Sequence, residues 1–232
     1  KVSAFISVKE FNNDHFVVMA TEKGIVKKTK LSAYSNPRKK GIYAVEIRDG
    51  DKLIEARVST GDNDILLGTR NGKSIRFSEE QIRPSGRKTM GVKGITLSSK
   101  DDRLVGMLLI KREGTTVLVA TEKGFGKRTE ISQYRAQKRG GKGVLTMKTT
   151  EKVGKMVTIK EVVDKDDLMI ITNQGVLIRQ PVSQIRAIGR ATQGVKLIKL
   201  GEGTLVSSIT RIMSEEDGGD ENNSAEPEGT SE

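Results

Sequence analysis

Apolar and polar positions repeat along the chain with a period of about fifty residues. Each repeat has an apolar run rich in β-branched residues, a polar turn with glycine, and a second run that contains cations. The four repeats are HFVVMATEKGIVKKT (15–29), DILLGTRNGKSIRF (64–77), TVLVATEKGFGKRT (116–129) and DLMIITNQGVLIRQ (167–180). Their turn glycines are Gly24, Gly72, Gly124 and Gly175. Because tight β-turns require the positive φ that glycine accepts, the pattern predicts four β-hairpins.

The period continues beyond each hairpin. An apolar anchor comes first, then a basic or polar loop, a second glycine and another apolar run. The anchors are Tyr34, Ile82, Tyr134 and Ile185, and the second glycines are Gly41, Gly94, Gly143 and Gly194. The runs that follow, IYAVEI (42–47), ITLSS (95–99), VLTMK (144–148) and VKLIKL (195–200), are predicted to be strands. Further apolar runs begin near Leu53, Leu104, Met156 and Leu205.

These features divide the chain into four repeated units, predicted at about residues 2–52, 53–103, 104–155 and 156–213. A fifth unit starts near Leu205 without a hairpin, so we expect the run 205–212 to close the fourth unit. Four short strands per period predict an all-β, propeller-like array. The alternative is a β-sandwich with chance similarity between its strands. The segment 214–232 is predicted to be a disordered acidic tail.

The charge is unevenly distributed along the chain. The total is +11, but the last nineteen residues contain eight acidic residues and neither Lys nor Arg. Residues 1–213 therefore carry 41 Lys and Arg against 22 Asp and Glu, a formal charge of +19. A basic body with an acidic tail indicates a polyanionic partner, with nucleic acid as the first candidate. The other interpretation is a basic protein without such a partner.

The sequence contains no constellation typical of a catalytic or metal site. There is no cysteine, and His15, the single histidine, has no partner for a zinc site or a catalytic triad. The stretch GTRNGKS (68–74) resembles a P-loop, but it has three rather than four residues between its glycines and leads into a strand. No apolar run approaches the roughly 18 residues of a membrane span. The chain begins at Lys1, and we expect it to be a piece of a longer polypeptide.

Cations recur at two places in each unit, in the second hairpin strand and in the loop before the second glycine. The hairpin candidates are Lys27, Lys28, Arg70, Lys73, Arg76, Lys127, Arg128 and Arg179. The loop candidates are Arg38, Lys39, Lys40, Arg87, Lys88, Lys93, Lys138, Arg139, Lys142, Arg186 and Arg190. Because the units repeat, equivalent cations should form one continuous basic track. With 3% aromatic residues and no basic recognition helix, the pattern predicts phosphate contacts to double-stranded DNA with little base readout.

The run QKRGGKG (137–143) resembles the gyrase A box, QRRGGKG, of the C-terminal domain of bacterial DNA gyrase A subunits. ATEKGIVKKT (20–29), ATEKGFGKRT (120–129) and IGRATQGVKLIKL (188–200) also resemble that family. The resemblance covers about residues 2–213. It implies DNA contacts for the box residues Gln137, Lys138, Arg139, Gly140, Gly141, Lys142 and Gly143. The three cations would neutralise phosphates, and the two adjacent glycines would let backbone N–H groups approach closely.

The resemblance also implies a β-pinwheel disc, usually of six blades that exchange strands, so we expect two further blades upstream. It implies a bacterial, cytoplasmic, nucleoid-associated gyrase holoenzyme, in which two A and two B subunits form an A2B2 assembly. Family members wrap DNA so that ATP-driven strand passage introduces negative supercoils. ATP and Mg²⁺ would act elsewhere, which leaves this domain without a cofactor. The expected function is non-catalytic DNA wrapping.

Three alternatives stay open on the sequence. Family boxes usually lie in the first blade, whereas QKRGGKG lies in the third unit here, so it is either a functional box or a box-like loop. The corresponding domain of topoisomerase IV, which has a degenerate box, is a second candidate identity. A propeller module that binds acidic proteins is a candidate from another functional class.

Overall fold

The four predicted hairpins are present in the structure, a computed structural model that describes residues 2–110 and 114–213. The strands are β1 (Phe16–Thr21), β2 (Ile25–Lys30), β3 (Leu53–Ser59), β4 (Asp64–Thr69), β5 (Lys73–Ser78), β6 (Val92–Lys93), β7 (Leu104–Ile110), β8 (Thr116–Thr121), β9 (Phe125–Glu130), β10 (Val144–Leu145), β11 (Met156–Val162), β12 (Asp167–Thr172), β13 (Leu177–Pro181), β14 (Val195–Lys196) and β15 (Val206–Ile212). The hairpins are β1–β2, β4–β5, β8–β9 and β12–β13. Their turn glycines have φ of 85°, 82°, 78° and 80°, as the turns require.

One-turn 3-10 helices follow the hairpins at Leu31–Tyr34, Glu79–Gln81, Ile131–Gln133 and Val182–Gln184. Each hairpin then gains strands from later parts of the chain. The sheets, which we call blades 1 to 4, have the orders β3-β1-β2-β6, β7-β4-β5-β10, β11-β8-β9-β14 and β15-β12-β13. Blades therefore borrow strands from the following repeat, and β15 closes blade 4 as the incomplete fifth repeat predicts. The propeller-like prediction is confirmed.

The order of strands within a blade defines an inner and an outer side. The strands β3, β7, β11 and β15 lie beside one another and form the inner side of the array. The short strands β6, β10 and β14 lie at the opposite, outer edge of their sheets. Apolar side chains fill the spaces between neighbouring blades, so central strands are buried on both faces; β8, for example, is buried along its whole length. Such strands lack the alternation of apolar and polar residues seen when one face meets water.

The predicted anchors pack under the loops that follow them. Ile82, Tyr134 and Ile185 are no more than 2% exposed. The Tyr134 hydroxyl lies 2.7 Å from the Thr146 hydroxyl, and the half-buried Tyr34 donates a hydrogen bond to the Ala44 carbonyl at 3.2 Å. The tyrosines are therefore packing residues, as their equivalence to isoleucines predicts.

The second periodic glycine of unit two is Gly91, and the prediction of Gly94 is wrong. Gly91, Gly143 and Gly194 share a positive φ of 88°, 68° and 76°. A Cβ on any of them would lie 2.3 to 2.6 Å from a main-chain oxygen of the hairpin strand beneath it. Gly94 has no positive φ and packs instead against side chains of Leu67 and Val26. The equivalent loops therefore end at Gly91, Gly143 and Gly194.

The strands predicted after these glycines are shorter than expected. Only Val92–Lys93, Val144–Leu145 and Val195–Lys196 pair, each with the second hairpin strand of the preceding repeated unit. The predicted strand 95–99 is therefore absent, and 42–47 forms no strand either. Within the described residues no earlier hairpin exists for 42–47 to pair with, and Tyr43, predicted on an apolar strand, is 75% exposed. The predicted acidic tail, 214–232, lies outside the described residues.

Candidate nucleic-acid interface

Two of the predicted DNA-contacting lysines lie in the interior. Lys27 is 1% exposed, and its ammonium donates to the carbonyls of Ala44, at 3.1 Å, and Arg87. Lys127 is fully buried and donates to the carbonyls of Gly189, at 2.8 Å, and of Arg190. Burial, together with the charge of a neighbouring arginine, lowers the pKa of each lysine to about 8. Both ammonium groups bind carbonyls of later loops and present no surface to a phosphate. We therefore exclude both lysines from the predicted DNA-contacting residues.

The next position of each hairpin carries a cation that is neutralised within the fold. Arg76 donates to Asp64 at 2.8 Å, and Arg179 donates to Asp167 at 2.7 Å. The other pairs at this position are Lys28 with Glu79 and Arg128 with Asp164, and in the turn before β5 Arg70 pairs with Glu122. Only Lys73, half-buried in β5, has no hydrogen-bond or ion-pair partner among the described side chains of this predicted group. The hairpin cations thus stabilise the blades, and the predicted track does not run through them.

A repeated arginine in the basic loops of units two to four binds main-chain carbonyls of the preceding repeated unit. Arg139, the central cation of the box-like run, donates from Nε to the Gln81 carbonyl at 3.2 Å and from Nη1 to the Lys93 carbonyl. Arg190 makes the same pair of contacts to the carbonyls of Gln133, at 3.0 Å, and Leu145. Arg87 reaches the Tyr43 carbonyl at 3.4 Å. We call Arg87, Arg139 and Arg190 the clamp arginines, because each bridges a loop to the neighbouring blade.

The backbone of the box-like run is anchored partly within the fold. Gly140 has φ of 83°, and its N–H donates to the Gly94 carbonyl at 2.8 Å. Thr96 binds the next two carbonyls, through its hydroxyl to Gly140 at 2.7 Å and through its N–H to Gly141 at 2.9 Å. The Gln137 N–H donates to the Arg76 carbonyl at 2.8 Å. The glycine pair therefore supplies a close backbone approach to the neighbouring blade, and the Gly140 N–H is not free for a phosphate.

The remaining cations cluster at the outer edge. We define the outer loops as residues 35–41, 83–93, 135–143 and 186–194; the last three run along the second hairpin strand of the preceding blade, with parallel contacts at Ala136 and Ala187. The side chains of the exposed cations in these loops make no hydrogen bond or ion pair to any residue that the structure describes. This set, the outer cations, is Arg38, Lys39, Lys40, Arg83, Lys88, Lys93, Arg135, Lys138, Lys142 and Arg186.

Two of the outer cations are absent from the set predicted from the sequence. Arg83 and Arg135 each directly follow an apolar anchor, as does the predicted Arg186. The signal that could have found them is this position of the repeat, which lies just before the basic loop motif. The three equivalent arginines extend the positive surface from the loops onto the ends of the 3-10 turns.

The outer loops form a regular, unneutralised basic surface. Lys138 and Lys142 flank the clamp arginine of the box-like run, and Lys88 lies 6.0 Å from the ring centre of the exposed Tyr43. Such a surface can neutralise successive phosphates without reading bases. Among residues 2–110 and 114–213, no group of three or more metal-ligating His, Asp or Glu side chains occurs, and no helix has the length and apolarity of a membrane span.

Comparison with known proteins agrees with this architecture. A family model described as the DNA gyrase C-terminal domain, beta-propeller, matches residues 15–60, 63–111, 115–162 and 166–212. These matches follow the spatial blades, each starting at or next to the first hairpin strand and ending with the borrowed inner strand. The DNA gyrase A protein of Staphylococcus epidermidis is 45% identical over 218 residues, covering 93% of this chain and 24% of the relative. The same protein of Staphylococcus aureus is 42% identical, covering 99% of this chain and 26% of the relative.

Solved structures share the fold. The C-terminal domain of DNA topoisomerase IV superposes with a TM-score of 0.85 at 24% identity, over 90% of this chain and 65% of that chain. A DNA gyrase A C-terminal domain gives a TM-score of 0.80 at 22% identity, over 90% of this chain and 70% of that chain. The chain spans about a quarter of the length of the curated relatives it matches. With four matched repeats and these relatives, the chain belongs to the family of DNA gyrase C-terminal domains.

Proposed function

We propose that this domain binds double-stranded DNA and bends it around the outer loops, as the wrapping part of gyrase A. The observation that supports this most directly is the separation of two classes of cation. The hairpin cations other than Lys73 are paired or buried inside the fold, whereas the outer cations lie in the same loop of every unit and their side chains stay unpaired among the described residues. Repeated positive charge along a curved edge suits the regular phosphates of a duplex, and the contacts offset a bending cost of a few kcal/mol.

Within the outer loops, Lys138 and Lys142 are the box residues we assign to phosphate contact. Gln137, Gly140, Gly141 and Gly143 shape the loop that presents them, and Arg139 holds that loop to the blade before it. The loop residues Arg38, Lys39 and Lys40 would supply the equivalent contacts in the first unit. Base readout is not part of the proposal, because no recognition helix is present among the described residues.

The proposed role in the whole enzyme follows from the family. Wrapping would present a neighbouring stretch of DNA to the strand-passage machinery with one handedness, and ATP hydrolysis with Mg²⁺ elsewhere in an A2B2 assembly would drive negative supercoiling. This domain would contribute no catalytic residue and no cofactor. A bacterial, cytoplasmic and nucleoid-associated location belongs to the same proposal, and so do two further blades of a six-bladed disc.

The first experiment is a salt titration of duplex binding by the full chain. We expect the logarithm of the binding constant to fall linearly with the logarithm of salt concentration, with a slope of about −0.9 per neutralised phosphate. Sealing of nicked circular DNA by ligase in the presence of the domain then records wrapping as a change in linking number. Absence of duplex binding at low salt would contradict the proposal, and binding to an acidic protein instead would favour the other functional class.

The whole enzyme distinguishes the two candidate identities. Assembled with gyrase B, a gyrase introduces negative supercoils into relaxed plasmid when ATP is present. An assembly that relaxes and decatenates DNA but never supercoils it negatively would assign the domain to topoisomerase IV.

A further inference from the structure

The inner strands line an open cavity that is separate from the outer loops. Its volume is about 200 Å³, below the roughly 300–1,000 Å³ of pockets that accept drug-sized ligands. Side chains from all four inner strands line it: Arg57, Leu108, Leu109, Lys160, Glu161, Thr210 and Arg211. The polar members come from β3, β11 and β15, which belong to blades 1, 3 and 4. A small polar molecule in this cavity would therefore contact three blades at once.

Lys160 is the group in this cavity that lacks a partner. Its side chain is half-buried, and its ammonium makes no hydrogen bond and no ion pair within the described part of the chain. An ammonium has three donors, and leaving them unsatisfied away from bulk water is unfavourable. The buried Lys27 and Lys127 differ in this respect, since carbonyl groups accept hydrogen bonds from both. Lys160 thus has donors available to a ligand.

The charges around Lys160 favour an anion. Arg57 donates to Glu55 at 2.9 Å and to the Met107 carbonyl at 3.2 Å, and Arg211 donates to the Glu161 carbonyl at 3.1 Å. Three cations thus face two carboxylates, those of Glu55 and Glu161. Burial lowers the pKa of Lys160 most, the Glu55 charge raises it, and the Arg57 and Arg211 charges lower it. An anion between these cations would reduce their mutual repulsion.

We infer that the inner cavity binds one phosphate-type anion, with Lys160 as the central donor and Arg57, Arg211 and the Thr210 hydroxyl around it. The tetrahedral oxygens of such an anion can accept hydrogen bonds from donors on several strands. β3 and β15 are not hydrogen-bonded to each other, so the ligand would link the first and last blades across the centre. A site of this kind stabilises the array by its binding free energy. The inference goes beyond the proposed function and does not depend on it.

The test is phosphate binding by the full chain and by two matched variants. Lys160→Met keeps the apolar stem and removes the ammonium, and Lys152→Met does the same at an exposed turn outside the outer loops. Inorganic phosphate is added at constant ionic strength, with sodium chloride as the balance, and thermal unfolding and calorimetric titration are followed. We expect phosphate to raise the Tm of the wild type and of K152M, and K160M to bind phosphate at least about tenfold more weakly.

K160M removes a half-buried charge that has no hydrogen-bond or ion-pair partner among the described residues. We therefore expect it to unfold no earlier than the wild type in phosphate-free buffer, so loss of folding does not explain the expected result. Equal Tm increases for wild type and K160M would overturn the inference, as would a loss in K152M as large as that in K160M. A duplex titration separates the sources of phosphate. Unchanged DNA affinity of K160M indicates a free anion, and a parallel loss of DNA affinity indicates a phosphate of the nucleic acid. If neither the wild type nor the variants bind DNA but phosphate still raises the Tm of the wild type, the proposed function is contradicted and the inner phosphate site is not.

Discussion

Replacing Arg139 by alanine should destabilise the fold without changing the number of phosphates that the domain neutralises. The guanidinium donates to two main-chain carbonyls of the preceding repeated unit, those of Gln81 and Lys93. Hydrogen bonds from charged donors contribute about 1.5–3 kcal/mol, and the half-exposed position of Arg139 places each of these near about 1 kcal/mol because water replaces part of the contact. The expected loss is about 2 kcal/mol of unfolding free energy. For a chain of this size this lowers Tm by about 4–8 °C.

The double variant K138A/K142A should weaken DNA binding and leave stability nearly unchanged. Both lysines are exposed and have no partner among the described residues, so removing them should change stability by less than about 0.5 kcal/mol. If each contacts one phosphate, the salt dependence of duplex binding becomes shallower by about 1.8 in slope. The salt slope of R139A should equal that of the wild type within experimental error. Any loss of affinity in R139A should be the same factor at every salt concentration.

Thermal unfolding and a duplex salt titration on the same three proteins give the comparison. Arg190 is the matched control, because it makes the same carbonyl contacts in an outer loop without the box sequence. R190A should match R139A in its Tm decrease. A fall of about 0.9 in salt slope for R139A with an unchanged Tm would refute the clamp interpretation and return Arg139 to the phosphate-binding set.

Three further changes test other parts of the structure. Gly143→Ala should cost more than about 2 kcal/mol by chemical denaturation, because its φ is positive and a Cβ would lie 2.3 Å from a main-chain oxygen, whereas Gly86→Ala, with open space around it, should be near neutral. Between pH 8 and 10.5 the lysine at position 127 is protonated in the unfolded chain and has lost its proton in the folded one. The unfolding free energy of the wild type therefore rises with pH in this window, by at most about 1.4 kcal/mol per pH unit. Lys127→Met should reduce this rise. The double variant of Arg83 and Arg135 to Ala should reduce the duplex salt slope by about 1.8, and an unchanged slope would remove both from the interface.

The repeat made most of the fold predictable from sequence. Glycine spacing located the hairpins, and equivalence of tyrosine with isoleucine identified the anchors as packing residues. The error at Gly94 arose because unit two has two glycines three residues apart. Only the close approach of Gly91 to the strand below distinguishes them, and that is a tertiary contact.

The site was less predictable, because a lysine in a sequence does not reveal what its ammonium contacts. The sequence pattern predicts that Lys27 and Lys127 lie on the surface, because charged side chains usually do. One signal pointed the other way: the equivalent residues of the other two hairpins are Ile75 and Ile178. A position that alternates between lysine and isoleucine is typical of a buried site where the lysine's head group is satisfied by the backbone. The carbonyls that accept those hydrogen bonds belong to the next unit's loop, which local sequence cannot place.

The same position explains how the box-like loop differs from its equivalents. The loops 85–91 and 188–194 lie over the buried lysines, whose ammonium groups bind loop carbonyls. The loop 137–143 lies over Ile75 instead, and a Cβ on Gly141 would be 3.5 Å from that side chain. Its carbonyls are bound by the neutral Thr96, so no buried cation lies beneath it. Lys138 and Lys142 of the run are exposed, and their side chains make no hydrogen bond or ion pair to a described residue. The box-like run therefore differs from the equivalent loops in the uncharged residues beneath it as well as in its number of cations.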